Sequence, residues 1–308
     1  MTKIYYLAHD VARPSGGVAV LYEHVEALRR AGFDACILHN SSGFKPAWLS
    51  PSVPIRYVSD GFYPDKSDFV VIPEDFSAAI RNFASLECRR AVFCQNQYYA
   101  AIGLQSIGDW RNYGISSVIA STETVRSFLV YANWPDAPLV PYAIDVDKFR
   151  PAQKSLQIAY MPRKRGMDAV TIRYLFPHRY PALREVPWVE LDGLHKDQVA
   201  QALSQTAIFL ALGQNESMGL PALEAMASGA MVAGFHGDGD LGLPAARNAG
   251  MWATNVDEAL AGLETLAVWF AAKAPEGDAL RSAAANYVVR YSVSNRDTCL
   301  LDYWRKAI

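Results

Sequence analysis

The sequence predicts an α/β protein made of two doubly wound, parallel-sheet domains, and three observations predict it. Short apolar runs of strand length, among them KIYYLAH, DFVVIPE, RAVFCQN and AIFLAL, alternate with amphipathic stretches such as VAVLYEHVEALRRAG. Strands that apolar throughout belong in a parallel sheet covered on both faces. The alternation breaks in the turn-rich segment DVDKFRPAQ and restarts with LQIAYM. Finally, 308 residues of which 51% are hydrophobic suffice for roughly two domains of about 150 residues, each with its own core.

Taken in order, KIYYLAH is a first strand, followed by a helix with Val18, Leu21, Val25 and Leu28 on one face. DACILHN, IRYVS and DFVVIPE are strands, FSAAIRNFASLE carries a helix, and RAVFCQN and SVIASTE are strands again. Ser121 or Thr122 can cap the helix through VRSFLVYA. We place the first domain at 1–150. From 151 to 290 the pattern gives strand LQIAYM, a helix near DAVTIRYLF, strand WVELDG, helix DQVAQALSQ, strands AIFLAL and MVAGF, and then helical sequence that continues to 308. In that closing stretch Cys299, Leu300, Tyr303 and Trp304 fall near one helical face.

Composition narrows the function classes. Lys plus Arg is 29 against 31 Asp plus Glu, a formal charge of -2 with no basic stripe, so a nucleic-acid partner is not expected. Cys36, Cys88, Cys94 and Cys299 show no C-x-x-C spacing, which favours reduced thiols in a cytoplasmic protein over disulfides or a zinc site. No apolar run approaches the ~20 residues of a membrane span. No G-x-G-x-x-G follows either opening strand, which argues against a dinucleotide oxidoreductase.

The most informative stretch is AIFLALGQNESMGLPALEAMASGAMVAG, residues 207 to 234. A buried strand leads into the polar loop GQNES, Pro221 fits the first turn of a helix, and Gly229 ends that helix before the next strand. Glu216 therefore lies in the loop and Glu224 just inside the helix. A carboxylate at the carboxyl end of a parallel strand, beside the free amides of a helix start, is placed to meet a polar ligand.

This stretch resembles the signature of two glutamates separated by seven residues in retaining nucleotide-sugar glycosyltransferases, the large family 4 group with the GT-B fold. It stands here as ESMGLPALEAMASG, with Met218 where the family commonly has an aromatic residue. The resemblance implies two Rossmann-like domains facing a cleft, with the C-terminal helix, residues 291–308, crossing back to the first domain. By resemblance Glu216 binds donor sugar hydroxyls with help from the backbone amides of Met218, Gly219 and Leu220, and Glu224 takes the ribose.

Three further segments extend the likeness over nearly the whole chain. Ser15-Gly16-Gly17 lies between the first strand and its helix. Glycines there let backbone approach a ligand or simply make a tight turn; in the family an equivalent loop faces the donor diphosphate and sugar. VPYAIDVDKFRP is similar to the family's interdomain phrase P-N-G-I-D-x-x-x-F-x-P, with Tyr142-Ala143 replacing Asn-Gly and Phe149 read as a packed anchor. In AYMPRKRGMD, Arg163 stands for the family's phosphate-binding arginine, and Arg165-Gly166 takes the place of its lysine-glycine, with Lys164 competing for that role. Fixed cations stabilise a departing nucleoside diphosphate.

One position departs from the pattern. Many relatives carry a histidine after the strand corresponding to RAVFCQN, where this chain has Asn96 and Gln97. These amides either orient the sugar or cap the strand end. His9, after the first strand, is another cleft candidate near the glycine loop, although a lone histidine more often reads as a structural residue. Trp110, Tyr113, Trp134 and Tyr142 either line an acceptor groove or pack internally.

The resemblance thus implies a cytoplasmic, metal-independent, retaining hexosyltransferase. It would use a UDP- or GDP-linked sugar as substrate, with no other cofactor, and a glycan, lipid-linked or other surface-polysaccharide acceptor. It leaves room for peripheral contact with the inner face of a membrane. Within the same fold the rival is a nucleotide-sugar epimerase; from another class it is a non-catalytic nucleotide-sugar binding protein, motivated by the missing histidine and the altered linker turn at Tyr142-Ala143.

Overall fold

A computed structural model describes residues 2–49, 52–100 and 109–308, which form two compact units: 1–142 with 294–308, and 143–293. The division falls at Tyr142/Ala143, ahead of the boundary expected at 150. The reason is local: Ile144 bridges to Ser292 and its N–H donates to the Tyr291 carbonyl at 2.7 Å, tying the linker phrase to the second unit.

In the first unit, β1 (Lys3–Leu7), β2 (Asp34–His39), β3 (Ile55–Tyr57), β4 (Phe69–Pro73), β5 (Arg89–Cys94) and β6 (Ser117–Ala120) form one sheet in the order β3-β2-β1-β4-β5-β6. Every pairing is parallel, with Tyr5 opposite both Cys36 and Val70. The connections include α1 (Gly16–Arg30), α2 (Ser77–Asn82), α3 (Asp109–Asn112) and α4 (Glu123–Tyr131). Of the two cap candidates for α4 it is Thr122 that serves, its Oγ1 accepting the Val125 N–H at 3.1 Å. Both β4 and β5 are nearly uninterrupted buried runs, as strands covered on both faces must be.

One of those covers is α10 (Val293–Ala307). Its Trp304 is fully buried, donates from Nε1 to the Tyr6 hydroxyl at 3.0 Å and packs edge-on to Phe69 at 5.1 Å between centroids. Arg296, also buried, pairs with Glu23 of α1 at 3.2 Å. The helix is thus a component of the first unit's core. Trp110 and Trp134 are buried in the cluster on the sheet with Val92, Val118 and Leu129, Tyr113 packs against it, and Tyr142 is buried with its hydroxyl donating to the Gln95 carbonyl at 2.8 Å. The groove reading of these four aromatics is corrected: they are packing residues, because their rings are the largest apolar surfaces available to fill the layer.

The second unit has β7 (Ser155–Tyr160), β8 (Trp188–Glu190), β9 (Thr206–Gly213), β10 (Met231–His236) and β11 (Met251–Trp252) in the order β11-β10-β9-β7-β8, again all parallel. Around it lie α5 (Gly166–Arg179), α6 (Lys196–Gln205), α7 (Leu220–Ala227), α8 (Val256–Ala272) and α9 (Pro275–Val288). Its core joins Ile158, Tyr160, Ile172, Leu210, Phe235 and Leu263, and Phe149 is buried as an anchor. Among the described residues no helix is long and apolar enough to cross a membrane.

In each sheet the chain runs outward in both directions from one place: between β1 and β4 in the first, between β7 and β9 in the second. Loops leaving the carboxyl ends of such a strand pair diverge to opposite faces and open a crevice, the usual ligand position in a parallel sheet.

Candidate functional site

At the switch of the second sheet two loops meet. The loop after β9 holds Glu216, and the loop after β7 holds Arg163, Lys164 and Arg165. Lys164 Nζ stands 3.9 Å from Glu216 Oε1, with the carboxylate side chain 26% exposed. Burial pushes the Glu216 carboxyl above its ordinary range, and the Lys164 and Arg163 charges pull it back. The result is an acid and two cations grouped at the mouth of the sheet.

The backbone explains why Glu216 points where it does. Its N–H donates to the Gly237 carbonyl at 2.8 Å, and the Asp240 N–H donates to the Ser217 carbonyl at 2.9 Å, zipping the loops after β9 and β10 together. Gly237, at φ +80°, approaches so closely that a Cβ there would lie 3.0 Å from that of Glu216. Asn215 and Asp238 hold left-handed conformations at φ 51° and 65°, strain that a non-glycine residue sustains only where its surroundings enforce it. Gly219, at φ 83°, turns the chain into α7 and has no side chain to cap it; Pro221 lacks an N–H and the Ala222 N–H donates to the Gly219 carbonyl at 3.0 Å, so the Leu220 N–H is the opening amide left for solvent or a ligand. Met218 is buried under this turn, while Gly219 and Leu220 are half-buried. Glu224 is the fifth residue of α7, half-buried and about 6 Å along the axis from the helix start.

The two candidates for the family's lysine position differ in their contacts. Arg165 is braced: its Nε donates to the Gly213 carbonyl at 2.9 Å, its Nη1 meets Asp168 at 2.8 Å, and its guanidinium lies 4.1 Å over the Phe235 ring. Lys164 is the residue that faces Glu216. Arg165 is thus turned onto the strand end, while Lys164 stands beside the Glu216 carboxylate.

The carboxyl edge of the first sheet carries the remaining candidates. Gly16 and Gly17 open α1, with Ser15 Oγ accepting the Val18 N–H at 3.4 Å. Gly17 makes room for Gln95, whose Nε2 donates to the Gly17 carbonyl at 3.3 Å and whose carboxamide would lie 3.4 Å from a Cβ at 17. Asn96 is buried; its N–H donates to Glu74 Oε1 at 2.8 Å and its Oδ1 accepts from the Tyr98 N–H at 2.9 Å, so it does cap the end of β5. Gln97 beside it is half-buried.

Sequence reasoning missed two residues here, Glu74 and Asp75, the second being the partner of His9. Glu74 is buried and Asp75 takes His9 Nε2 at 2.9 Å, with the imidazole stacked on Phe76 at 4.2 Å. Burial, reinforced by the Asp75 charge, raises the Glu74 carboxyl to about 8 against backbone hydrogen bonds from Gln95 and Asn96 that lower it. The adjacent acids after FVVIP were a legible signal. Their pairing with His9, 66 residues away, depends on β1 lying beside β4.

A shallow depression of about 380 Å³, lined in part by Lys148, Arg150, Asp197 and Ser204, lies at the amino ends of β7 and β9, away from these groups. Its lysine is already paired with Asp197 at 2.6 Å.

Comparison with known proteins agrees with this architecture. The chain is 30% identical over 244 residues to an alpha-1,6-glucosyltransferase of Actinobacillus pleuropneumoniae serotype 7, an alignment covering 75% of this chain and 72% of that protein. No family model matches the chain. Its fold matches HepE of Anabaena, solved in complex with UDP, with a TM-score of 0.73 at 12% identity over 99% of this chain and 100% of that one. It also matches sucrose-phosphate synthase of Thermosynechococcus elongatus, with a TM-score of 0.72 at 12% identity over 100% of this chain and 99% of that one. On its relationship to the first of these and the two-sheet architecture shared with the others, the chain belongs to the glycosyltransferases of the GT-B fold class.

Proposed function

We propose that the protein transfers a hexose, glucose in the first instance, from a nucleoside diphosphate sugar to a hydroxyl of a glycan acceptor, with retention at the anomeric carbon. The observation that carries this reading is the grouping of Glu216 with Lys164 and Arg163 at the switch of the second sheet. UDP-glucose is favoured over a GDP-linked donor because HepE has been solved with UDP-glucose bound and the curated relative is named as a glucosyltransferase. That relative's alpha-1,6 linkage makes the primary hydroxyl of a hexose the acceptor group to try first.

In this reading Glu216 accepts hydrogen bonds from donor sugar hydroxyls, and Glu224 accepts from the ribose. The bond from the anomeric carbon to the phosphate oxygen breaks, the acceptor oxygen bonds to the same face, and the acceptor proton passes to the departing phosphate. Negative charge gathers on that phosphate. Lys164, Arg163 and the positive end of the α7 dipole are the groups suited to stabilise it, so a divalent cation is not required.

The test is transfer of glucose from UDP-glucose to methyl glucosides in the presence of a chelator, with the anomeric configuration of the product read by proton NMR. Glu216→Ala and Arg163→Ala should each lower transfer by at least about a hundredfold without changing the thermal midpoint, the scale seen when one group that stabilises developing charge is removed. Full turnover in both variants would reject the reading. Donor epimerised without acceptor, or bound without transfer or hydrolysis, would favour the two rivals in turn.

A further inference from the structure

We propose that His9, held by Asp75, is a carbohydrate-binding residue that reads a non-reacting hydroxyl of the acceptor sugar. This rests on the transferase reading above and names the first-unit group that would recognise the acceptor. His9 and Asp75 follow β1 and β4, the two strands between which the first sheet reverses direction, so the pair stands at the place where a parallel sheet opens to a ligand.

The ring is fixed in two ways. Asp75 Oδ1 lies 2.9 Å from Nε2, and Phe76 stacks on the imidazole at 4.2 Å with planes 17° apart. A carboxylate accepts only, so the neutral ring carries its proton on Nε2 and presents the Nδ1 lone pair. Nδ1 makes no hydrogen bond within the described residues, and the side chain is 32% exposed. A preoriented acceptor of this kind suits a sugar O–H.

Charge selects the class of ligand. Asp10 and Asp75 follow β1 and β4 on this edge, and a diphosphate would meet them as like charges, whereas a neutral polyol would not. Tyr98, 43% exposed just beyond β5, offers an aromatic face at the same carboxyl edge for a sugar ring.

Two measurements on the full chain decide the matter. In the first, His9→Phe, which keeps the stack on Phe76 and removes both nitrogens, is compared with the native protein using UDP-glucose and methyl α-glucoside. Acceptor kcat/KM should fall about tenfold, through KM, while acceptor-independent hydrolysis of UDP-glucose is unchanged; tenfold is the worth of one hydrogen bond. Asp75→Asn, which unlocks the tautomer, should fall between the two. An equal fall in transfer and hydrolysis would place His9 at the donor and overturn the proposal, as would unchanged acceptor kinetics.

The second measurement needs no turnover. In protein labelled with ¹⁵N at histidine, the Nδ1 resonance assigned to His9 by the His9→Phe spectrum should move saturably on adding methyl α-glucoside. No movement would sink the proposal even in an active enzyme. If the native protein consumes no UDP-glucose, the functional reading fails, and this titration still decides for or against His9.

Discussion

Replacing Glu74 by Gln should remove a pH-dependent cost from the first unit. Glu74 lies with its side chain fully enclosed; Oε1 accepts the Asn96 N–H at 2.8 Å, and Oε2 has no hydrogen-bond partner among the described residues. Its carboxyl is raised from 4.5 to about 8, burial being the main cause and the neighbouring Asp75 charge the second. Below 4.5 both folded and unfolded chains hold the proton and nothing is lost. Between 4.5 and about 8 the folded chain keeps a proton that the unfolded chain releases, so stability declines as pH rises through that window. Above it the penalty is constant, roughly 5 kcal/mol by the free-energy equivalent of such a displacement, a large share of a typical domain's stability. Glutamine keeps the acceptor for Asn96 and cannot ionise. Urea unfolding of both proteins between about pH 5 and pH 9 should therefore show the native curve losing roughly 4 kcal/mol more than Glu74→Gln across the range. Parallel curves would refute the argument, since they would mean that the Glu74 proton is not held by the fold.

Two more outcomes follow from the packing. Gly237→Ala should keep the fold at a cost of about 1–3 kcal/mol, yet lower transfer more than tenfold, because the added methyl meets Glu216 Cβ at 3.0 Å in a left-handed turn; steady-state kinetics beside a urea melt reads both. Trp304→Ala should destabilise the first unit by about 3–5 kcal/mol, as it empties a fully buried site and strips the Tyr6 hydroxyl of its donor; chemical denaturation followed by circular dichroism measures it.

Much of this molecule was legible before its coordinates. The strand and helix succession could be read because parallel strands are uniformly apolar and their connections amphipathic, patterns that KIYYLAH and VAVLYEHVEALRRAG display without help from distant residues. The ordered phrase ESMGLPALEAMASG located Glu216 and the helix behind it for the same reason: turn glycines, proline and acid are fixed by local backbone needs. Side-chain direction was not local. Whether Lys164 or Arg165 turns toward Glu216 depends on the Gly213 carbonyl and the Phe235 ring, contributed by β9 and β10, and no spacing within RKRG records them. His9 was read as structural because its partner appears only once β1 and β4 are neighbours. Trp110 and Trp134 stayed open between groove and packing, since an aromatic ring in sequence looks the same whether it faces solvent or fills a layer.

The first unit is discontinuous along the chain, and this has a consequence for biosynthesis. A ribosome releases residues 2–142 long before α10, so the sheet emerges with the Tyr6 and Phe69 side of its surface uncovered. The second unit, made of one unbroken segment, has all its parts available first. Completion of the two units is thus the reverse of their order in the chain: the first unit waits with an apolar face uncovered until residues 294–308 arrive to close it.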